Sequence, residues 1–594
     1  MSLPARDFGL RTVAPFILIL AGGLALFGAN AMNRPGRNDV TPEVSDPGSL
    51  MDLRGAKRQL GALGGDRGLV CCFLGVDCPV TEAYVDDLRR LHEEFSARGV
   101  AVVAIYSGAS DHMNRVAAHA LDCEFPFDVL IDRYQRMARN LGVERTPTFC
   151  LVDANRRLRY VGRFDDRFIS EHQQQTPESA DLRQAIEAVI SQQDPPIART
   201  VANGSPIEPW RRRRSDEPPA YAEHVAPIIE RRCQTCHHRA GAGPFPLETE
   251  MQVARMRYVI ADAVAQRRMP PWHADERFGE FHNDRRLTDE ERRTLLSWAV
   301  QRGGRELQRP GRTRDQRRGS LADPVPWSIG EPDAIVDCAD EFEIPAAGEI
   351  TVKYSRVSKE TTEALFEEVR WIQAAEVLPG NIQAVNHIAA FVTEPGSTLN
   401  MGPVTSGNIL AEWTPGVPSF EFPPGTAFRV PRGARLVFEI HYRAIGVNVV
   451  DRPQLALRFA DAAPEHEIQV ATQYHDSFRI PRFAPQYTAD FELEFACDTR
   501  LLGLFPRMRR RGSAFRFEAT YPDGATETLL SIPRYDAAWQ TTYWLDEPKP
   551  MPQGTRIRAI AHWDNSPGNA ANPDPGVDVV HGARANDEMM ATRG

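Results

Sequence analysis

Hydrophobic and polar positions change rhythm along the chain. Between residues 50 and 195, short apolar runs alternate with amphipathic stretches. Residues 69–74 and 100–106 are near-continuous apolar runs of strand length, the pattern of strands buried on both faces. Tyr84, Leu88, Leu91 and Phe95 between them fall on one face of a helix. A shorter apolar piece at 129–132 precedes a helix around 134–141, residues 148–152 and 158–161 read as a hairpin, and a helix near 179–190 closes the block. This alternation predicts a small α/β sandwich.

Residues 220–306 read as helical. Tyr221, Val225, Ile228 and Ile229 form an apolar helical face. Thr288 and Glu291 make a capping box for a last helix that runs through Leu295, Leu296 and Trp298 to Gly303 and Gly304. From 327 on, strand-like runs at 350–354, 389–392, 436–442, 454–459, 515–521 and 555–563 alternate with Pro/Gly turns. That spacing predicts antiparallel β-sandwiches. About 265 residues exceed one sandwich, so two are expected, 327–475 and 476–594. Two polar stretches, 196–219 with its run Arg211 to Arg214 and 307–326, read as solvated linkers.

The N-terminus has its own pattern. Arg6 and Arg11 precede a stretch without charge up to Arg34, with an apolar core over 16–27 and a small-x-small site at Ala29-Asn30-Ala31. Residues 1–31 are therefore expected to be a secretory signal or, if uncleaved, a membrane anchor. Either places the rest in the periplasm or on the outer face of the cell envelope.

Composition narrows this picture. With 42% apolar and 25% charged residues among 594, wholesale disorder, a fibre or a multi-span membrane protein is excluded. A net charge of −10 without a basic domain argues against nucleic acid as partner. Nine cysteines are too few for a disulfide scaffold, so each is read by position.

Cys78-Pro79 falls where the first strand meets its helix, where helix N–H groups favour thiolate. Thr146-Pro147 is a candidate cis-proline turn. On these features, residues 50–195 resemble thioredoxin-like redoxins. A thioredoxin-type pair would have a cysteine at Thr81, and a peroxiredoxin-type site a threonine at Gly75. Cys78, the candidate catalytic residue, thus has no local partner, and Cys123 is a candidate distant resolving thiol. Cys71 and Cys72 are adjacent on a strand and should face opposite ways, and Cys150 should be buried.

Cys233-Gln234-Thr235-Cys236-His237 places two thiols for thioether bonds to one heme, with the histidine under the iron. No second C-x-x-C or H-x-x-x-H follows at zinc spacing. Met269, 32 residues beyond His237 on the stiff loop Met269-Pro270-Pro271-Trp272, is the candidate sixth iron ligand, with His238, His273 and His282 as rivals. The block resembles a single-heme cytochrome c domain, which implies an all-α fold and one covalent heme c on Cys233, Cys236 and His237.

The C-terminal block carries V-N-H-I-A-A-F-V around His387, E-I-H-Y-R-A-I-G around His441, F-P-R-M-R-R-R-G at 505–512, Y-P-D-G at 521–524 and D-E-M-M at 587–590. It resembles the copper type II, ascorbate-dependent monooxygenases of the peptidylglycine α-hydroxylating and dopamine β-monooxygenase family. That resemblance implies one copper at Asn386, His387 and His441, and a second at Arg507, Arg509 and Met589. Three of the six are not the family's ligands, and guanidinium offers no lone pair to a metal. Copper is therefore doubtful, although His387, His441 and Met589 remain candidate ligands. Cys338 and Cys497, alone in this block, can form a disulfide in an oxidising compartment.

Two functions are in play. One is an extracytoplasmic heme c electron-transfer protein with a redoxin-like module and a degenerate monooxygenase scaffold. The other is an active copper monooxygenase fed with electrons by its heme. Both imply redox partner proteins in the envelope, and a small-molecule substrate that the sequence does not identify.

Overall fold

The structure, a computed structural model, describes residues 50–168, 177–208, 219–238, 241, 243–299, 327–348, 351–393, 395, 408–415, 420–582 and 586–593. The signal or anchor at 1–31, the Arg211 to Arg214 run and the 307–326 linker lie outside the described residues. Among the described residues, no helix is long and apolar enough to cross a membrane.

The first block is built on a seven-stranded sheet. Its strands are β1 (Leu50–Asp52), β2 (Lys57–Arg58), β3 (Gly68–Leu74), β4 (Val100–Tyr106), β5 (Asp128–Ile131), β7 (Thr148–Asp153) and β8 (Leu158–Gly162), in the order β2-β1-β5-β4-β3-β7-β8, while β6 (Arg145–Thr146) lies outside it. The three central strands β3, β4 and β5 run parallel, and β7 and β8 form an antiparallel hairpin beside β3. Helices α1 (Pro79–Ala83), α2 (Val85–Ser96), α3 (Met113–Asp122), α4 (Arg136–Leu141) and α5 (Asp181–Ile190) cover the faces. Every residue of β3 is buried, because both of its faces are covered. Val70, Cys72 and Leu74 pack with Leu88, Phe95, Val116 and Ile186 of α2, α3 and α5. Cys71 and Phe73 pack on the other face with Met137 and Leu141 of α4. Phe95 is fully buried, a contribution of roughly 2–3 kcal/mol.

Part of the stretch expected to be a solvated linker is instead built into this domain. Strand β9 (Ser205–Pro206) pairs antiparallel with β6. Val161 donates to the Ala198 carbonyl and accepts from Thr200, both at 3.0 Å. Gly204, at φ +147°, passes so close to the Thr146 carbonyl that a β-carbon would lie 2.0 Å from it. Only glycine fits that crossing. Short backbone pairing of this kind needs no apolar run, which is why the hydropathy pattern does not reveal it.

The second block is helical in its regular elements: a wide turn at Tyr221–Val225, then α6 (Ala226–Arg232), α7 (Glu250–Ala265) and α8 (Asp289–Ala299). The Thr288–Glu291 capping box forms: Glu291 N–H donates to Thr288 Oγ1 at 3.1 Å and its carboxylate accepts from Thr288 N–H at 2.8 Å. The same carboxylate takes Arg231 and Arg232 of α6, tying the two helices together. The core joins Val225, Ile228 and Ile229 to Val253, Val264 and Leu295.

The C-terminal block is β-rich, with several separate sheets. Strands Thr351–Arg356, Arg435–Tyr442, Val385–Thr393 and Asn408–Trp413 make one four-stranded sheet, which shares a core with the six-stranded sheet centred on Arg370–Leu378. Beyond residue 472, the sheet with Thr499–Arg507 and the sheet with Gly512–Thr520 enclose a second core. Trp272, Ala274 and Phe281 of the helical block enter that second core, and Trp272 meets the ring of Tyr543 at 5.0 Å. Cys338 is buried, Cys497 is exposed, and both are free thiols, so the disulfide open to them does not form.

Candidate functional sites

Cys78 precedes α1 and is buried. α1 has only five residues and Cys78 makes no side-chain cap bond, so the thiol is set by individual neighbours, Thr81 of the first turn of α1 among them. Burial pushes the thiol up, but hydrogen bonds from the backbone and hydroxyl of Ser205 and of Thr81 outweigh it, and the thiol falls to about 7. In its protonated form Cys78 Sγ donates to the Thr146 carbonyl at 2.9 Å, beside the cis bond to Pro147. The group is therefore poised between thiol and thiolate near neutral pH. Thr81, where a second thiol would be needed, is fully buried and holds the backbone N–H of Gly75 through its hydroxyl. Ser205 is the residue that sequence reasoning missed; it lies in the supposed linker.

The other cysteines of this domain are free and buried. Cys71 and Cys150 are opposite one another in the β3–β7 register. Burial pushes Cys71 up to about 12 and Cys150 well above its ordinary range, so both are inert thiols. Cys123 follows α3, and burial with Glu82 and Asp122 nearby pushes it up to about 12.

In the helical block, Cys233 to His237 make one turn after α6. Cys236 N–H and His237 N–H both donate to the Cys233 carbonyl, at 3.1 and 2.9 Å. Neither is in a disulfide, both are half-buried, and Arg285 Nη1 approaches Cys236 Sγ at 3.8 Å. His237 Nδ1 lies 2.9 Å from the Phe245 carbonyl, so Nδ1 carries the proton and Nε2 keeps its lone pair. Two cysteines on one turn, neither in a disulfide, with an oriented imidazole suit a covalent heme. Met269 is 43% exposed and follows α7 on a loop with a cis bond to Pro270. His273 is buried and takes Arg534 at Nδ1 at 2.9 Å, and His282 Nδ1 lies 3.2 Å from the Leu545 carbonyl. Both histidines are thus engaged with the C-terminal block.

In the C-terminal block, His387 and His441 are opposite one another on adjacent strands, with ring centroids 5.2 Å apart. His387 Nε2 donates to Glu412 at 2.5 Å and His441 Nε2 to Glu439 at 2.7 Å. Glu412 also takes Arg593 at 2.7 Å. Burial holds His387 down to about 4 despite Glu412. Burial opposes ionisation of both glutamates, but Arg593, His387 and Arg507 hold Glu412 far below the usual carboxylate range, and His441 with Arg507 holds Glu439 at about 2. Two carboxylates thus meet two guanidiniums beside neutral His387. Asn386 is exposed, at an irregularity in the strand register, and does not join the two histidines. Met589 is half-buried, while its neighbour Glu588 is fully buried and accepts the backbone N–H groups of Arg509 and Arg511 at 2.9 and 2.8 Å. This donor set does not fit a two-copper centre: His387, Glu439 and His441 lie close enough together for one ion, but Arg507 and Arg509 offer no lone pair to a second. The Nδ1 of His387 is buried without a hydrogen-bond partner among the described residues.

Comparison with known proteins bears on the first block. The AhpC/TSA family profile matches residues 39–161. A hypothetical protein from Sinorhizobium meliloti 1021 is 30% identical, over 27% of this chain and 90% of that one, with a TM-score of 0.25. Peroxidoxin BcpB from Mycobacterium tuberculosis is 22% identical over 25% of this chain and 96% of its own, with a TM-score of 0.21. A putative thiol:disulfide interchange protein DsbE from Chlorobium tepidum is 19% identical over 24% and 92%, with a TM-score of 0.20. No curated protein matches the chain. Residues 39–161 carry a thioredoxin-like redoxin domain of the AhpC/TSA type, and the chain has a redox module.

Proposed function

We propose that the chain is an extracytoplasmic electron-transfer protein in which the redoxin domain is joined to a covalent heme c block and a monooxygenase-like scaffold that has lost its copper chemistry. The observation that carries this reading is the Cys233–His237 turn, with both cysteines outside any disulfide on one turn and His237 Nδ1 held by the Phe245 carbonyl. Cys233 and Cys236 would anchor the heme, His237 Nε2 and Met269 would hold its iron, and when bound it would supply one-electron transfer. The Phe245 carbonyl fixes the imidazole plane and leaves the ligating lone pair free. The location outside the cytoplasm rests on the signal-like residues 1–31 and on the need for heme attachment. Heme staining of a denaturing gel tests this: the chain made with heme-attachment machinery stains, and Cys233→Ala with Cys236→Ala does not.

The hydroxylase alternative is disfavoured by the Glu412 and Glu439 bonds to the two histidines. The retained sheets then serve as a docking or substrate-recognition module for redox partners of the cell envelope.

A further inference from the structure

A second constellation lies on the redoxin domain, beginning one turn along α1 from Cys78. Glu82 is on α1, His119 on α3, and Cys123 immediately follows α3. His119 Nε2 is 3.4 Å from Glu82 Oε2 and 3.7 Å from Cys123 Sγ, and the three donor atoms all lie within 4.8 Å of one another. Around a tetrahedral zinc ion, ordinary bond lengths place sulfur and nitrogen ligands about 3.6 Å apart, and nitrogen and oxygen ligands about 3.4 Å apart. The two distances from His119 Nε2 match those separations, and the third pair lies within 4.8 Å.

The imidazole is also set up from behind. His119 Nδ1 lies 2.7 Å from the hydroxyl of Tyr106 at the end of β4, and a proton on Nδ1 shared with that oxygen leaves the Nε2 lone pair free on the side of Glu82, with Cys123 Sγ beside the ring at 3.8 Å from Nδ1 and 3.7 Å from Nε2. Tyr106 is fully buried, and its ring packs on His119 at 5.7 Å, so the orientation is fixed by the core. All three groups line a cavity of about 430 Å³ shared with Met269, Trp272 and Arg277 of the helical block.

We propose that Glu82, His119 and Cys123 form a three-ligand site for a zinc-class divalent cation, with its fourth position open to this cavity. Binding replaces the Cys123 thiol proton by the metal and releases that proton to solvent. An open fourth position is the arrangement of zinc sites that bind water or a substrate group. The cation does not depend on heme in the neighbouring block.

The test uses the full chain carrying Cys233→Ser and Cys236→Ser, so that the C-x-x-C-H thiols contribute nothing, titrated with Co²⁺ as the spectroscopic stand-in for Zn²⁺. We expect one thiolate-bound Co²⁺ per chain, with a thiolate-to-cobalt charge-transfer band. Cys123→Ser removes the band, Glu82→Gln weakens binding by at least about tenfold, and Cys78→Ser leaves it unchanged. Without any change at the site, Zn²⁺ should also slow alkylation of Cys123, read by peptide mass spectrometry. No thiolate band at saturating Co²⁺, a band that survives Cys123→Ser, or Cys123 alkylation equally fast with and without Zn²⁺ would overturn the proposal.

Discussion

Ser205 hydrogen-bonds the Cys78 thiol from across 127 positions of sequence, through both its backbone and its hydroxyl. Ser205→Ala removes one of those bonds, and the thiol should rise from about 7 by roughly one pH unit. The pH dependence of iodoacetamide alkylation measures it. Stability follows the same group. The folded thiol sits below its ordinary 9.0, so its contribution is complete above that value and is lost as pH falls through about 7. Ser205→Ala should flatten the stability profile between these limits. An unmoved inflection would remove Ser205 from the site.

The wild-type domain should not reduce insulin, because Cys78 has Thr81 where a resolving thiol would stand. Thr81→Cys should create that activity. Rapid reduction by the wild type, abolished in Cys78→Ser, would point instead to another cysteine such as Cys123 as the resolving thiol.

Much of the redoxin domain was legible in sequence, because buried parallel strands must be apolar on both faces. The runs at 69–74 and 100–106 and the Leu88–Leu91–Phe95 stripe carry that signal. α3 leaves no clear pattern in the sequence, although it supplies His119. Its helix mixes small and polar residues, Met113 to Asp122, and its apolar face is short. Ser205 and Glu412 were invisible for a different reason. Each meets its partner through strand pairing between distant segments, and no local pattern encodes that register. In sequence Trp272 belongs to the Met269 loop, whereas its ring packs in the second C-terminal core.

The His387–Glu412–Arg593 chain should be sensitive to acid. His387 is held near 4, below its ordinary 6.5, so the unfolded chain takes up a proton that the folded chain refuses. Stability should fall as pH drops from 6.5 to about 4, and Glu412 and Glu439, held low in the fold, extend the loss at lower pH. Glu412→Gln leaves Arg593 without its carboxylate and should cost roughly 3 kcal/mol at neutral pH. Urea unfolding across this range checks both. Copper titration of the same protein should give well under one ion per chain and no ascorbate-dependent O₂ uptake.

Met269→Ala in heme-loaded protein should remove the near-infrared sulfur-to-iron band and lower the midpoint potential, since a thioether favours ferrous iron. An unchanged spectrum and potential would assign the sixth position to His238 or another group.

The most direct measurement is the intact mass of the purified full chain after expression with heme-attachment machinery. The account predicts a gain of exactly one heme per chain, resistant to acid-acetone extraction and absent when Cys233 and Cys236 are both replaced by alanine. A chain that carries no covalent heme under these conditions, with Cys233 and Cys236 recovered as free thiols or as a disulfide, would contradict it.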